Sequence, residues 1–372
     1  MKFKYFHRAI VSLVAIAVVS SVSAQVVDYS GYVSGIGSVL KYSNEQKNQY
    51  RTDFFLRQRN NFTYYPNSNL TFHLEFQEQY SSIWYKNNEN YLKIKADRFY
   101  ASYMKNNWEI NLGRQRINWG RTLVWNPNDI FNTFSFYDID YPERQGSDAL
   151  RITYSYGMAS STEIVFKYDD QNSWTSAILS KFNKYNYDFQ FLAGIINKPA
   201  DFYNNYTNNY HDLVLGMGWE GSIGPIAFRG EASYYYNSEY KSSYLASISF
   251  DYSLNSKWNI QTEFLYNDPK YLIPISQFNT LINSAPSSSK SLSFSKYNIY
   301  MGASYIISPI FTLNLSSIYY PDKKCYFIMP DAEFSLLQNL NLGIILQHFT
   351  LKEKSHRNNF DDLFIRLRYY FK

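Results

Sequence analysis

The sequence is poor in cysteine, in charged residues and in long apolar runs. Its single cysteine cannot form a disulfide framework or a cysteine-rich metal site. Beyond residue 24, no apolar run approaches the roughly 18 residues that a membrane-spanning helix requires, which excludes a helical membrane protein. Charged residues make up only 18% of the chain, whereas aromatic residues make up 20%, a proportion too high for a disordered protein.

The N-terminus has the composition of a secretory signal peptide. A positive region containing Lys2, Lys4 and Arg8 precedes an apolar region, and the small residues 22–24 form a cleavage-site pattern. Residues 1–24 are therefore predicted to be removed, with a buried N-terminal helix as the alternative. Removal would leave 348 residues and a formal net charge of +2, because it takes away three basic residues and no acidic ones.

The mature chain lacks the sequence features of a protein that binds nucleic acid or a cofactor. A net charge of +2 provides no concentrated basic surface, so no nucleic-acid partner is expected. No motif for a metal or organic cofactor occurs, and no cofactor is expected. Cys325 has no partner for an intramolecular disulfide and is interpreted as an ordinary strand residue.

Apolar and polar residues alternate with period two through most of the mature chain. From Leu70 to Phe76, every second residue is leucine or phenylalanine, and the residues between them are polar or charged. The same alternation occurs in residues 212–220, 228–236, 243–251, 258–264 and 363–371. A helix cannot produce this pattern, and the sequence therefore predicts an all-β protein.

Two architectures bury one apolar face of each strand: a soluble sandwich or barrel, and a membrane barrel. A soluble core would have to satisfy the hydroxyl groups of many of the 38 tyrosines. In a membrane barrel, tyrosine and tryptophan lie at the headgroups, and the polar faces line a wet lumen. The tyrosine content therefore favours the membrane barrel.

Connection lengths give an estimate of the strand number. If a first strand near residues 28–41 runs outward, every second connection should be a short periplasmic turn. Compact segments rich in Asn, Gly, Pro or Ser occur near residues 66–69, 106–107, 157–161, 182–186, 221–224, 255–256, 308–309 and 338–339. They predict that residues 25–372 form a single antiparallel transmembrane β-barrel of about 16–18 strands.

The remaining connections are predicted to be extracellular loops. Three of them are long, at residues 85–96, 120–147 and 267–292, and two are intermediate, at residues 199–209 and 351–359. The other four, near residues 44, 170, 239 and 322, are short, so the alternation of short and long connections holds for most of them but not all. A barrel of this size is wide enough for an aqueous channel unless a loop fills it.

Two segments resemble parts of known barrels. Leu363–Phe371 resembles the aromatic-ended C-terminal signal of outer-membrane barrels, with Lys372 following the aromatic residue. Residues 113–120, GRQRINWG, resemble a strand end of porin-like and alginate-export-type outer-membrane barrels. The resemblance implies a Gram-negative outer-membrane location and contact with outer-membrane lipid, and it does not single out a substrate.

The segment 113–151 contains the candidate site. We expect a bulge at Gly113 to turn Arg114, Arg116 and Asn118 into the lumen. The aromatic-rich loop that follows is expected to fold back into the barrel, so that its carboxylates meet these arginines in a charged constriction. The alternative is that such pairs only brace the wall. The residues predicted to line the pore or its constriction are Arg57, Arg59, Glu75, Arg98, Arg114, Arg116, Asn118, Arg121, Asp138, Asp140, Glu143, Arg144, Asp148, Arg151, Arg229 and Glu231.

These features favour a porin-like channel for passive diffusion of small polar or charged solutes. The alternative is a closed barrel that serves as a structural or accessory subunit of an outer-membrane machine, with other outer-membrane subunits as partners. An enzyme is not expected, because G-x-S-x-G, H-E-x-x-H and Walker motifs are absent. The adjacent His211 and Asp212 would point to opposite sides of a strand and cannot form a dyad.

Overall fold

The structure is a computed structural model of the protein. The model describes residues 26–43, 48–83, 89–133, 136–137, 146–169, 173–197, 211–237, 242–274, 288–353 and 356–372. The predicted signal peptide, residues 1–24, lies outside these ranges. The described residues contain 18 strands in one antiparallel sheet, in which each strand pairs with its neighbours in sequence.

Pairing of the last strand with the first closes the sheet. Gly31 lies opposite Phe371 at one end of this seam, and Ser43 lies opposite Asn359 at the other. The predicted antiparallel β-barrel is thus confirmed, with a strand number at the upper end of the expected range. The strands are β1 Val27–Ser43, β2 Asn48–Tyr64, β3 Leu70–Ile83, β4 Glu89–Lys105, β5 Trp108–Gln115, β6 Ser147–Ser155, β7 Ser161–Asp169, β8 Ser173–Lys184, β9 Tyr187–Asn197, β10 His211–Ile223, β11 Ile226–Asn237, β12 Ser243–Ser253, β13 Trp258–Asn267, β14 Tyr297–Ser308, β15 Phe311–Tyr320, β16 Cys325–Leu337, β17 Leu340–Glu353 and β18 His356–Phe371.

Each of the eight predicted periplasmic turns lies at a junction between consecutive strands, although the segments 157–161, 182–186, 221–224 and 308–309 include strand ends. Two of the predicted loops are wrong. Residues 85–96 lie mostly in β4, and residues 351–359 lie mostly in β17 and β18. The physical reason is that strands continue beyond the hydrocarbon layer, where both faces are wet and apolar alternation is no longer required. Polar composition there marks the end of the membrane rather than the end of the strand.

The outer face of the barrel is apolar. Leu213, Leu215 and Met217 on β10 are 43–48% exposed in the isolated chain, whereas Asp212 and Val214, which alternate with them, are fully buried. Aromatic side chains face outward near the strand ends, as Trp108 and Tyr168 do. Among the described residues, no helix is long and apolar enough to cross a membrane. A closed sheet with an apolar outer face and aromatic ends places the chain in the outer membrane.

Gly113 occupies a backbone conformation that other residues avoid. Its φ is 119°, and an added Cβ would lie 2.4 Å from the carbonyl oxygen of Phe99. The ladder nevertheless passes through it without a skipped residue, since Gly113 pairs with Tyr100 on one side and Ala149 on the other. Gly113 is therefore a local distortion, not the predicted bulge.

Because no residue is skipped, the alternation of β5 continues past Gly113. Arg114 lies on the same outer face as Leu112, which is 63% exposed, and opposite Asp148 of β6. The prediction that Arg114 and Asp148 face the lumen is therefore wrong. Only a skipped residue would have reversed the face of Arg114.

Replacement of Gly113 by alanine is expected to destabilise the barrel by roughly 1–3 kcal/mol, because the new Cβ would collide with the Phe99 carbonyl at a strained φ. Urea-induced unfolding in phospholipid vesicles measures the loss. Gly37→Ala is the matched control, since nothing lies within 4 Å of a Cβ at Gly37. Equal losses of unfolding free energy in the two variants would contradict the assignment of a strained, crowded backbone to Gly113.

Candidate solute pathway

The connection between β5 and β6 enters the barrel directly after Gln115. Ile117 and Trp119 are buried, and residues 124–132 are buried throughout. The indole Nε1 of Trp119 donates a hydrogen bond to Glu163 on the inner face of β7. The indole ring packs edge-on against the ring of Phe131, with 4.7 Å between the two ring centres. The segment 116–133, called the inner loop below, therefore lies against the wall of the barrel.

Glu231 of β11 binds the backbone of the inner loop. One carboxylate oxygen accepts hydrogen bonds from the backbone N–H groups of Arg121 and Thr122, and the Thr122 bond is 2.9 Å long. The other oxygen accepts a hydrogen bond of 2.9 Å from the backbone N–H of Asn128. The hydroxyl of Thr122 donates to the same carboxylate at 3.3 Å. Glu231 is fully buried, and these donors replace the water that its charge would otherwise require.

Glu263 of β13 binds the next three amides of the same loop. Its carboxylate accepts the N–H groups of Leu123, Val124 and Trp125 at 2.7, 2.9 and 2.9 Å. The hydroxyl of Ser247 adds a further donor at 2.7 Å. Two buried carboxylates thus hold the backbone of residues 121–128 in place.

The sequence of the inner loop suits this compact path. An added Cβ at Gly120 would lie 2.1 Å from the side-chain oxygen of Asn126, so only glycine permits the close approach. Asn128 donates to the carbonyl of Met217 at 2.9 Å and accepts from the hydroxyl of Ser233 at 2.7 Å. Asparagine and glycine therefore close the turn and fasten it to β10 and β11.

A second insertion enters the barrel from the connection between β13 and β14. Lys290 forms a buried ion pair with Asp212 of β10 at 2.9 Å and lies 4.1 Å from the ring centre of Tyr271. Asn237 donates to the other oxygen of Asp212 at 2.7 Å. Since both charges are almost fully enclosed, they hold the insertion against β10.

The outer end of this insertion is held by Asp322, in the turn between β15 and β16. Its carboxylate accepts from the hydroxyl of Ser295 and from the amides of Lys296 and Tyr297 at 3.2 and 3.4 Å. Burial raises the pKa of Asp322, but these hydrogen bonds outweigh that effect and leave the pKa below its usual value. The carboxylate therefore stays ionised at neutral pH.

Tyr235 of β11 joins the two insertions. Its hydroxyl donates to the carbonyl of Pro127 in the inner loop at 3.1 Å, and it shares a 2.7 Å hydrogen bond with the hydroxyl of Ser289 in the second insertion. The inner core of the barrel consists of both insertions and of inward apolar residues of β6–β17, among them Val165, Leu179, Leu192, Val214 and Leu265. The insertions thus occupy one side of the lumen.

Charged side chains of β2–β4 form a network on the other side. Arg59 binds Asp97 at 2.9 Å and also binds Glu75, which in turn binds Arg98 at 3.0 Å. Asp97 is the extra residue of a bulge, because Glu75 pairs with Arg98 while Phe76 pairs with Ala96. Arg57, Arg59 and Asp97 are buried, so they brace the wall, whereas Glu75 and Arg98 remain 16–17% exposed.

A second group of charges lies on and beside β10–β12. Arg121 of the inner loop binds Glu220 at 3.2 Å, and Arg229 binds Asp251 at 2.7 Å. The side chains of these four residues are 14–37% exposed. On β5 and β6, Arg151 binds Glu109 at 2.9 Å, with similar exposure. These pairs face the part of the lumen that the insertions leave open.

The predicted site residues therefore separate into groups. Glu75, Arg98, Arg121, Arg151 and Arg229 face the lumen and are partly exposed, while Arg57, Arg59 and Glu231 face it and are buried. Arg116 and Asn118 are exposed on the segment that leaves β5. Arg114 and Asp148 lie outside the barrel, as stated above. Asp138, Asp140, Glu143 and Arg144 lie outside the described residues.

Sequence reasoning did not select Glu163, Glu263, Asp97 or Asp212 for the site. Glu163, Glu263 and Asp212 occupy inward positions of alternating strands, and that position was the signal available. Their partners are distant in sequence, such as the Leu123 amide 140 residues before Glu263. No motif predicts such a pair.

Exchange of both anchoring carboxylates, Glu231→Gln with Glu263→Gln, is expected to release the inner loop, because each new amide NH2 would face backbone N–H donors. The measurement is the labelling rate of Val124→Cys by a charged thiol reagent, with Cys325 replaced by alanine, because Val124 is 4% exposed and only its backbone takes part in the anchoring. Loss of hydrogen bonds to a charged group should raise this rate by about tenfold or more.

Glu333→Gln serves as the matched control, since Glu333 of β16 faces inward and binds Arg366 but no residue of the inner loop. An unchanged labelling rate in the double variant would show that the loop is held by other contacts.

Comparisons with known proteins concern the fold. The sequence matches no protein-family model and no curated protein. The structure is similar to that of Pseudomonas aeruginosa OccK5 (OpdH), with a TM-score of 0.58 and 10% identity over 93% of this chain and 99% of that chain. It is similar to Acinetobacter baumannii OccAB2, with a TM-score of 0.58 and 10% identity over 93% and 98% of the two chains.

A third solved structure, Pseudomonas aeruginosa OccK2 (OpdF), has a TM-score of 0.57 and 9% identity over 92% of this chain and 98% of that chain. All three likenesses extend over nearly the whole of both chains, and at such low identity they concern architecture. Together with the closed sheet and its apolar outer face, they show that the chain has the fold of a porin-like outer-membrane β-barrel.

Proposed function

We propose that the barrel is a passive channel for small polar or charged solutes. The observation that carries the proposal is the partial exposure of charged pairs on two opposite parts of the ring. Glu75 and Arg98 lie on β3 and β4, and Arg229 and Asp251 lie on β11 and β12. In a ring of 18 strands, strands nine apart face each other, so a solute in the open lumen passes between these groups.

Fixation of the inner loop supports the same function. A channel needs a stable constriction, because a mobile loop would make its width variable. Glu231 and Glu263 hold the loop against one wall, and Arg121 projects from the held segment to Glu220. The inner loop therefore contributes a charged side chain at a fixed position. It narrows the lumen to the same width whether or not a solute is present.

Charge on both sides of the pathway suits solutes that carry polar or ionised groups. Arginines supply donors for carboxylate or other anionic groups, and Glu75, Glu220 and Asp251 supply acceptors for cationic groups. No bond-making step is involved, and the proposed role is transport down a concentration gradient.

The packed interior favours a second candidate, a closed barrel that serves as an accessory subunit of an outer-membrane machine. Its support is the apolar core that the two insertions form inside the ring, around residues such as Trp119 and Phe294, both about 1% exposed. A closed barrel would conduct no ions in its native form, whereas the double variant without the glutamate anchors would conduct.

Single-channel recording in planar bilayers tests the channel proposal. The wild-type protein is expected to conduct, and Arg229→Gln is expected to shift the permeability ratio toward cations by about twofold to threefold, because it removes a lumen cation. Glu220→Gln is expected to shift the ratio toward anions for the converse reason.

Lys184→Gln is the control for a general change in charge, since Lys184 ends β8 at a periplasmic turn outside the pathway. A wild-type protein that fails to conduct, together with a conducting Glu231→Gln, Glu263→Gln variant, would establish the closed barrel instead.

A further inference from the structure

Charged side chains are distributed unevenly over the outer face of the barrel. On β7–β16, the described outward positions carry no charged side chain except Lys184, at the periplasmic end of β8. On β3, β5 and β6, Glu78, Arg114 and Asp148 face outward among apolar neighbours. Gln58 and Asn60 of β2 add two outward amides beside Glu78. These five residues are called the outer polar patch.

The outer polar patch lies near the middle of the membrane. Arg114 follows the periplasmic Trp108 by six residues, and Asp148 precedes the periplasmic Tyr154 by six. Glu78 follows Phe72 by six residues in the same way. At about 3.3 Å per residue and a tilt of roughly 40°, six residues correspond to roughly 15 Å along the membrane normal, within an apolar band of about 25 Å.

The patch is only partly satisfied within the chain. Arg114 binds Asp148 at 2.5 Å and donates to the carbonyl of Ala96, yet the two side chains remain 38% and 53% exposed. Asn60 accepts hydrogen bonds from Tyr29 and Gln58. Among the described residues, Glu78 has no hydrogen-bond or ion-pair partner, and it stands opposite Gln58 and Ile94.

Lipid is an unsuitable neighbour for such a patch. Hydrocarbon offers no partner for a carboxylate, and charged residues at this depth are among the least favourable placements on a barrel surface. A lipid headgroup does not resolve the problem. Glu78 and Asp148 outnumber Arg114, so the patch has a net charge of −1 and repels the anionic groups of the outer leaflet.

The charges of the patch are complementary to themselves. Glu78 and Arg114 lie at similar heights on β3 and β5, two strands apart. A two-fold axis along the membrane normal preserves height, and it brings Glu78 of one copy to Arg114 of the other, and the reverse. We propose that the outer face of β2–β6 is an interface between two copies of this chain, in which Glu78 of each copy pairs with Arg114 of its partner.

Native mass spectrometry in a mild detergent tests the interface. The wild-type protein is expected to be a dimer, and Glu78→Arg is expected to reduce dimer association by about tenfold or more, because it places two like charges together. Tyr234→Arg on β11 is the matched control, since Tyr234 is an outward residue of the opposite, uncharged face. It is expected to leave the dimer intact.

A cross-link gives a second measurement that does not depend on a charge reversal. Two differently tagged copies are expressed together, one with Glu78→Cys and one with Arg114→Cys, both with Cys325→Ala. Oxidation is expected to join the two tags, and a pair of copies with Tyr234→Cys should not be joined. A monomer in mild detergent, a cross-link through residue 234, or a different protein captured at residue 78 would each overturn the proposal.

Discussion

The absence of water in the hydrocarbon layer is the constraint on which the rest of the structure depends. A sheet in lipid must satisfy every backbone N–H and C=O group within itself, and pairing of β1 with β18 removes the last free edge. Closure then divides the side chains into two environments. The outer residues meet lipid, while the inner residues meet water or the inserted loops, and the period-two pattern follows directly.

Much of the architecture could be predicted from the sequence because this division acts on every strand. Turn positions such as residues 106–107 and 255–256 were readable from asparagine and serine at the periplasmic ends. The extracellular ends were harder, as β4 shows, because strands there extend into water and lose their apolar face. The prediction succeeded where one face was apolar and failed where both faces were polar.

The candidate site was less accessible to sequence reasoning. An inward position could be predicted for Glu231, but its three backbone partners in the inner loop could not, because they lie more than 100 residues earlier in the chain. Arg59 was likewise expected to face solutes, and it is enclosed by Glu75 and by Asp97, which a bulge brings inward. The side of the sheet to which a side chain points depends on the local alternation along its strand. Whether that side chain is exposed to the lumen depends on contacts between segments that are distant in sequence.

The anchoring of the inner loop has a consequence for the order of assembly. The loop precedes its anchors by 103 to 140 residues, so it is synthesised well before β11 and β13 exist. Trp119 needs only β7 for its contact with Glu163, but the backbone amides of residues 121–128 gain their acceptors only when β11 and β13 have joined the sheet. The loop therefore reaches its final position only after β13 has paired with its neighbours.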